Sequence, residues 1–319
     1  MHISVLKDEL INNLNLKEDS IIVDGTLGYA GDSSIILERI KKGFLFAFDQ
    51  DSEAIEYSTN VLNKIGTNFT IIKSNFVNLK QELNKRGIEK IDGAIFDLGV
   101  SSPQLDNGRR GFSYHEDARL DMRMDKDNPL DAYYVVNNYD LNDLTRIFRD
   151  YGEDKFAYQI AKKIVKQREE KPIETTLELV EAIKSVVPEK EKRKKHPAKQ
   201  IFQAIRIEVN HELDVIKPAL EQALEMLNVG GRVEVITFHS LEDKIVKKYF
   251  KEVCSIDDKI KGLPNIPKEY LPDFKLVVNK AIIPTDKELE KKIKTYVLWQ
   301  IEKNMNMLKY NMEDDKQSL

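Results

Sequence analysis

A chain of 319 residues, 41 % of them hydrophobic, can bury a sizeable core as one large domain or two medium ones, and 50 basic against 54 acidic residues give a net charge of −4 that excludes a surface coated in positive charge. No stretch reaches the roughly 20 apolar residues a membrane span needs, and Lys7, Asp8 and Glu9 close behind Met1 leave no apolar signal region, so the chain reads as cytoplasmic. The single cysteine, Cys254, excludes an internal disulfide, and five scattered histidines offer no zinc spacing, so no metal is expected.

From residue 20 onward, strand and helix patterns alternate. Short runs rich in Ile, Val and Phe at Ser20–Asp24, Phe44–Phe48, Phe69–Lys73 and Asp92–Asp97 read as strands. Between them Ser33–Lys41, Ser52–Ile65 and Val77–Arg86 carry apolar residues at helical spacing, as at Ile35, Ile36, Leu37 and Ile40. Alternation of this kind builds right-handed βαβ units and a parallel sheet with helices on both faces. Residues 105–200 interrupt it with Leu141–Tyr151, Lys155–Arg168 and Thr176–Val187, all helical in pattern, so an all-helical insert is expected between two parts of one sheet domain, residues 1–104 and 201–303. The helical stretch Phe202–Leu227 is expected to bend at Pro218. A Gly230-Gly231 turn then leads into a strand, Arg232–Phe238, a helix, Leu241–Val253, and two strand-like runs, Lys275–Ile283 and Thr295–Glu302, that suggest an antiparallel edge hairpin. Residues 304–319 are polar and expected to be disordered.

The strand ends carry the chemistry. Residues 21–33 read I-I-V-D-G-T-L-G-Y-A-G-D-S, with Gly25, Gly28 and Gly31 spaced three apart rather than as the G-x-G-x-x-G of a pyrophosphate loop. That spacing disfavours a dehydrogenase using a nicotinamide dinucleotide. Asp49 ends the second strand 25 residues after Asp24, where an acid can accept hydrogen bonds from both ribose hydroxyls of a nucleoside. Asp51 begins the next helix, Phe76 follows the third strand where an adenine could lie, and Asp97 tips the fourth. A nucleoside without a diphosphate fits best, with S-adenosylmethionine its commonest representative.

Several long segments resemble one family: D-L-G-V-S-S-P-Q-L-D (Asp97–Asp106), R-G-F-S-Y (Arg110–Tyr114), L-D-M-R-M-D (Leu120–Asp125), Y-G-E-D-K-F-A (Tyr151–Ala157), H-P-A-K-Q-I-F-Q-A-I-R-I-E-V-N-H-E-L (His196–Leu213) and G-G-R-V-E-V-I-T-F-H-S-L-E-D-K-I-V-K (Gly230–Lys247). They are similar to the ribosomal RNA small-subunit methyltransferase H family, also called MraW. The resemblance implies a class I S-adenosylmethionine-dependent methyltransferase, Rossmann-like, with a helical domain inserted after the fourth strand. It implies transfer of a methyl to the exocyclic N4 of a cytidine in the decoding region (P site) of 16S rRNA, with the small ribosomal subunit as partner and a homodimer left open. By position its cofactor residues carry over to Ala30, Gly31, Asp32, Asp49, Phe76, Asp97 and Gln104. Ala30 and Asp32 depart from the family's glycine and histidine: the alanine is acceptable at negative φ with its N–H facing the ligand, and the aspartate could bond the cofactor's ammonium. Ser4 replaces a proline, and the family's basic segment near the C-terminus is reduced to K-K-I-K-T-Y-V-L-W-Q (Lys291–Gln300).

The N4 amine of cytosine is a weak nucleophile because its lone pair is delocalised into the ring, so catalysis must align it, offer it an acceptor and remove a proton. Asp97 is the first candidate acceptor. His239, at the end of the fifth strand, could bind the flipped base or a phosphate or serve as a structural hydrogen bonder, while Ser240, Glu242 and Asp243 look like a helix start. Asn210 and Arg206 lie one helical turn apart, and an Asn amide suits a cytosine edge. Arg109, Arg110, Arg119 and Arg123, with a basic run ending at His196, form the expected RNA face. The rival to an enzyme is a non-catalytic RNA-binding assembly factor with a degenerate cofactor site.

Overall fold

The computed structural model describes residues 7–256, 260–261, 265–277 and 297–304. It divides into two compact units, Met1–Gly99 with Asp214–Leu319, and Val100–Leu213. In chain order the first unit begins with α1 (Lys7–Asn13), β1 (Ile21–Asp24), α2 (Gly31–Arg39), β2 (Phe44–Asp49), α3 (Ser52–Leu62), β3 (Phe69–Lys73), α4 (Leu79–Asn84) and β4 (Ile91–Asp97). The second unit contains α5 (Ser102–Asp106), α6 (Ala132–Asn138), α7 (Leu141–Asp150), α8 (Ala157–Glu170), α9 (Thr176–Val186), α10 (Glu189–Lys192) and α11 (Ala198–Asn210). The chain returns to the first unit with α12 (Ile216–Met226), β5 (Leu227–Thr237), α13 (Ser240–Val253), β6 (Phe274–Leu276) and β7 (Val297–Lys303).

The sheet of the first unit has the order β3-β2-β1-β4-β5-β7-β6. Its first five strands pair in parallel, and β7 runs antiparallel to both β5 and β6. This order and polarity are those of a class I methyltransferase sheet. Chain order reverses between β1 and β4, so a crevice opens outside their carboxyl ends. Both central strands are buried almost throughout, because helices cover both faces. On one face Leu10, Ile11, Leu14, Ile36 and Leu37 pack over Ile22, Leu45, Ile95, Ile236 and Leu298.

In the second unit helices pack around Leu144, Phe148, Ile160, Ile164, Leu179, Ile183, Ile201 and Ile205. The core includes Ala198, Ile201, Phe202, Ala204, Ile205 and Val209, just over three turns of α11, and this unit runs on to Leu213. Thr175 and Glu178 form a capping box at the start of α9, so the sequence T-T-L-E marks that boundary well.

Two expectations are corrected. No helix bends at Pro218, because α11 already ends at His211 (φ 51°) and Pro218 lies in the first turn of α12, where its missing N–H has no partner to lose. Gly230-Gly231 is not a turn ahead of a strand. Leu227 already pairs with Ile91 and Arg232 with Gly93, so residues 228–231 form an irregularity inside β5, with Gly230 at φ 79°. The edge pair exists as β6 and β7, whereas the expected strand residues 278–283 and the polar tail from 305 lie outside the described residues.

Candidate active site

The glycine loop is held from below by two strand-end acids. Asp24 Oδ1 accepts from the Thr26 N–H (3.0 Å) and its Oδ2 from Ser33 Oγ (2.6 Å), tying the end of β1 to the first turns of α2. Asp49 Oδ2 accepts from the Gly28 N–H (2.8 Å) and Oδ1 from the Asp51 N–H (2.8 Å), tying the loop to the end of β2. Gly25 donates to the Ile95 carbonyl (2.9 Å), and a Cβ there would lie 2.4 Å from the Phe96 ring, so only glycine lets the chain pass. A Cβ on Gly31 would meet nothing within 4 Å, which leaves open space at the start of α2.

Ala30 does not meet its expected condition. It sits at φ 61°, and its N–H donates to the Leu27 carbonyl (2.9 Å) rather than facing a ligand. The left-handed backbone is retained because Ala30 is buried and packs with the sheet core.

The crevice is electrostatically one-sided. Burial pushes the Asp24 carboxyl up to about 7, with repulsion from Asp32 and Asp49 adding to it, and burial pushes Asp49 up to about 6. Asp97 is raised well above the usual carboxylate range, first by burial and then by Asp32, Asp24 and Glu242. Its backbone N–H donates to Thr26 Oγ1 (2.6 Å), but its buried Oδ1 has no hydrogen-bond partner among the described residues. A buried acceptor left over in this way calls for a donor or a cation. Asp32, in the first turn of α2, is also buried. Phe76 stands half-buried just after β3 and meets Phe96 edge-on at 5.6 Å.

His239 takes the N-cap position of α13, one residue ahead of the expected start. Its Nε2 lies 3.1 Å from Glu242 Oε1, and Glu242 Oε2 accepts from the N–H groups of Phe238 (2.7 Å) and His239 (3.3 Å). Glu242 is the residue that sequence reasoning set aside. The S-L-E-D pattern signalled its capping role, but not that it is 1 % exposed and reaches Asp97 electrostatically. Cys254, half-buried at the end of α13, has its thiol pushed up to about 12 by burial, which disfavours the thiolate.

The remaining candidates belong to the second unit, where most are occupied. Asn210 Nδ2 donates to the carbonyls of Met122 (2.8 Å) and Arg206 (2.9 Å), and its Oδ1 accepts from the Met124 N–H (2.7 Å). Both amide protons are therefore spent on backbone, holding Met122 at φ 60°, and the side chain has no donor left for a base edge. Arg206 makes a two-pronged ion pair with Glu212 at 2.8 Å on each arm. Gln104 is buried in α5, its Oε1 accepting from the Ser101 N–H (3.1 Å). Arg123 grips Asp121, and the buried Arg110 donates to the Arg123 carbonyl (2.8 Å). Arg119 is exposed and paired with Asp131, while Arg109 is exposed. In the basic run Lys192 pairs with Glu189 and Lys194 with Glu191. Asn210→Ala is expected to cost about 1–3 kcal/mol of stability, since it leaves buried carbonyls and an N–H unpaired, with the loss read in chemical denaturation rather than in the turnover of the folded fraction.

Comparison with known proteins places these features in a family. A profile of the MraW methylase family matches residues 1–297. The ribosomal RNA small subunit methyltransferase H of Exiguobacterium sibiricum is 56% identical over 290 residues, covering 91% of this chain and 93% of that protein. Among solved structures, an rRNA methylase from Streptococcus thermophilus matches with a TM-score of 0.43 at 14% identity, over 96% of this chain and 99% of that one. The SAM-dependent O-methyltransferase TM0748 of Thermotoga maritima matches with a TM-score of 0.40 at 11% identity, over 93% of this chain and 64% of that one.

Proposed function

The chain belongs to the MraW methylase family, and from that membership we propose that it methylates the exocyclic N4 of a cytidine in the decoding region of 16S rRNA, within the small ribosomal subunit, using S-adenosylmethionine. The observation that carries this reading beyond the family is the buried, unpartnered Oδ1 of Asp97 at the point where strand order reverses.

The residues present fit the cofactor. S-adenosylmethionine is cationic at both sulfonium and ammonium, and the crevice sets Asp24, Asp32, Asp97 and Glu242 within electrostatic reach of one another. Gly31 leaves the space at the start of α2 open, and Asp32 beside it would accept from the ammonium. Asp49 would accept from the ribose hydroxyls with the lone pairs its two loop hydrogen bonds leave free, and Phe76 would lie against the adenine. Ala30 contributes through the shape of the turn rather than through its N–H. When bound, the cofactor supplies an electrophilic methyl group.

The protein's own part is to hold the amine and take its proton. Asp97 presents an oxygen with no other donor, so it can accept a hydrogen bond from the N4 amine and draw electron density toward nitrogen. A carboxyl whose proton affinity is raised by burial and neighbouring acids is, once ionised beside the cationic cofactor, a better base than an ordinary one, and Asp97 would take the proton that nitrogen sheds. His239 stands beside Glu242 at the start of α13 with both ring nitrogens buried and without a hydrogen-bond partner among the described residues, so it would offer them to the flipped nucleotide.

The test is transfer of a labelled methyl from S-adenosylmethionine to bacterial small subunits lacking the modification, followed by mass spectrometry of the released nucleosides. N4-methylated cytidine is the expected product. No incorporation together with no cofactor binding would leave the non-catalytic assembly factor as the better reading.

A further inference from the structure

We infer that the ring stack of Tyr114, His115 and His196 in the second unit is a platform on which an unpaired base of the substrate RNA stacks, with Lys184 and Lys195 beside it for the flanking phosphates. The inference rests on the reading of RNA as substrate and names where that RNA is gripped.

The stack is built on the core. Gly111, at φ 72°, turns the chain where a Cβ would strike the Arg119 carbonyl at 2.5 Å, and Phe112 anchors the turn in the helical core. Tyr114 then lies edge-on to Phe202 of α11, with centroids 5.7 Å apart and planes at 82°. Its face is covered by His196, nearly parallel at 16° and 4.5 Å, and His115 leans on it at 4.4 Å. Tyr114 is thus the wedge between a packed phenylalanine and two imidazoles, of which His115 is exposed.

Three features make this a surface for a base rather than packing alone. His196 Nδ1 accepts from the Ala198 N–H (3.3 Å), which fixes the ring at the start of α11. Burial, then His115 and Lys184, hold its pKa below the usual histidine value, so near pH 7 it is a flat neutral ring and offers a π face. The surroundings are positive even with the paired acids counted: from Glu181 to Lys199 the chain carries seven Lys and Arg against Glu181, Glu189 and Glu191, a net charge of 7 − 3 = +4, with Lys184 paired to Glu181 at the surface. Two exposed acids follow His115. Asp117 Oδ1 accepts from the Leu177 N–H at the start of α9, and the Glu116 carboxylate lies against Gly108. Aromatic and imidazole rings set in a basic border hold single-stranded nucleic acid by stacking, whatever the base.

The test measures methyl transfer to small subunits as a function of subunit concentration, with cofactor binding as a control. His115→Ala removes the exposed ring, and His196→Asn removes the stacked one while keeping an acceptor for the Ala198 N–H. Each is expected to raise KM for subunits about 5- to 50-fold with kcat and cofactor affinity within twofold, the size of one lost stacking contact. Lys195→Ala is expected to act through salt dependence instead, lowering the slope of log affinity against log salt by about 1. An unchanged KM in both ring variants, in a preparation whose unaltered protein is active, would overturn the platform. So would competition by an acidic peptide that matches RNA in affinity, which would mark the surface as a protein dock. If the unaltered protein transfers no methyl to RNA, the functional reading falls and the platform with it.

Discussion

Replacing Asp97 by Asn is expected to lower methyl transfer about 100- to 10,000-fold, the usual size of a general-base contribution, while leaving the folded chain at least as stable at pH 8. Both effects have one origin. Asp97 is a carboxyl in a place that disfavours its charge, by burial first and by Asp32, Asp24 and Glu242 next. Asn keeps the shape and one acceptor but cannot take a proton, so the chemistry stops while the repulsion is relieved. The sign with pH follows from linkage. A carboxyl raised in the folded state binds its proton more tightly there than in the unfolded chain, so its stability contribution is intact below the unfolded value of 3.8 and drains away as pH rises through the folded value. Asp24, raised to about 7, and Asp49, raised to about 6, act in the same direction. The unaltered protein should therefore be more stable near pH 4.5 than at pH 8, losing stability between about pH 4 and 7, and Asp97→Asn should lose less over that window. Denaturation at the two pH values, beside methyl-transfer rates, reads both halves. Activity within threefold of the unaltered protein would remove Asp97 from the role of base.

A bound cation should reverse the same balance. A ligand carrying positive charge into this crevice favours the ionised carboxylates, so binding should release protons, and S-adenosylmethionine affinity should rise as pH increases from about 5 to 7.5.

What the sequence disclosed and what it withheld separate along a physical line. The strands were readable because Ile21–Asp24, Phe44–Asp49 and Ile91–Asp97 are short, largely apolar runs that each end in an acid, and the pattern lies within each run. The acids at strand ends were readable for the same reason. Asn210 was not, because its partners Met122 and Met124 lie 88 and 86 residues away, and no local pattern tells a pocket amide from one spent on distant backbone. Ala30 was misread in its backbone, since an alanine gives no warning of positive φ where burial and a loop hydrogen bond fix it. Pro218 was misread because the helix had already been stopped by His211, which carries no general stop signal.

Glu234 is a further case, and the stability effect it predicts is among the largest here. It stands on β5 directly opposite Gln300 of β7, both residues are 0 % exposed, and none of their side-chain oxygens or nitrogens has a well-formed hydrogen bond among the described residues. Burial raises the Glu234 carboxyl well above its ordinary range, Arg232 and Gln300 only partly offset this, and Asp32 adds repulsion. A buried polar pair without good hydrogen bonds is worth less than apolar side chains of similar volume. Converting both, Glu234→Leu with Gln300→Leu, is expected to stabilise the chain by about 1–4 kcal/mol at pH 8. The single change Glu234→Leu should gain less, because the Gln300 amide would then face methyl groups, so the two substitutions should couple favourably. The pH dependence is again that of a raised carboxyl: harmless below 4.5, costly as pH rises toward its folded value, so the gain of the double variant should shrink at pH 4.5. Chemical denaturation of the four proteins of this cycle at both pH values decides the matter. A double variant less stable than the parent at pH 8 would mean that Glu234 and Gln300 are satisfied in solution by a contact, such as a buried water, that outweighs apolar packing.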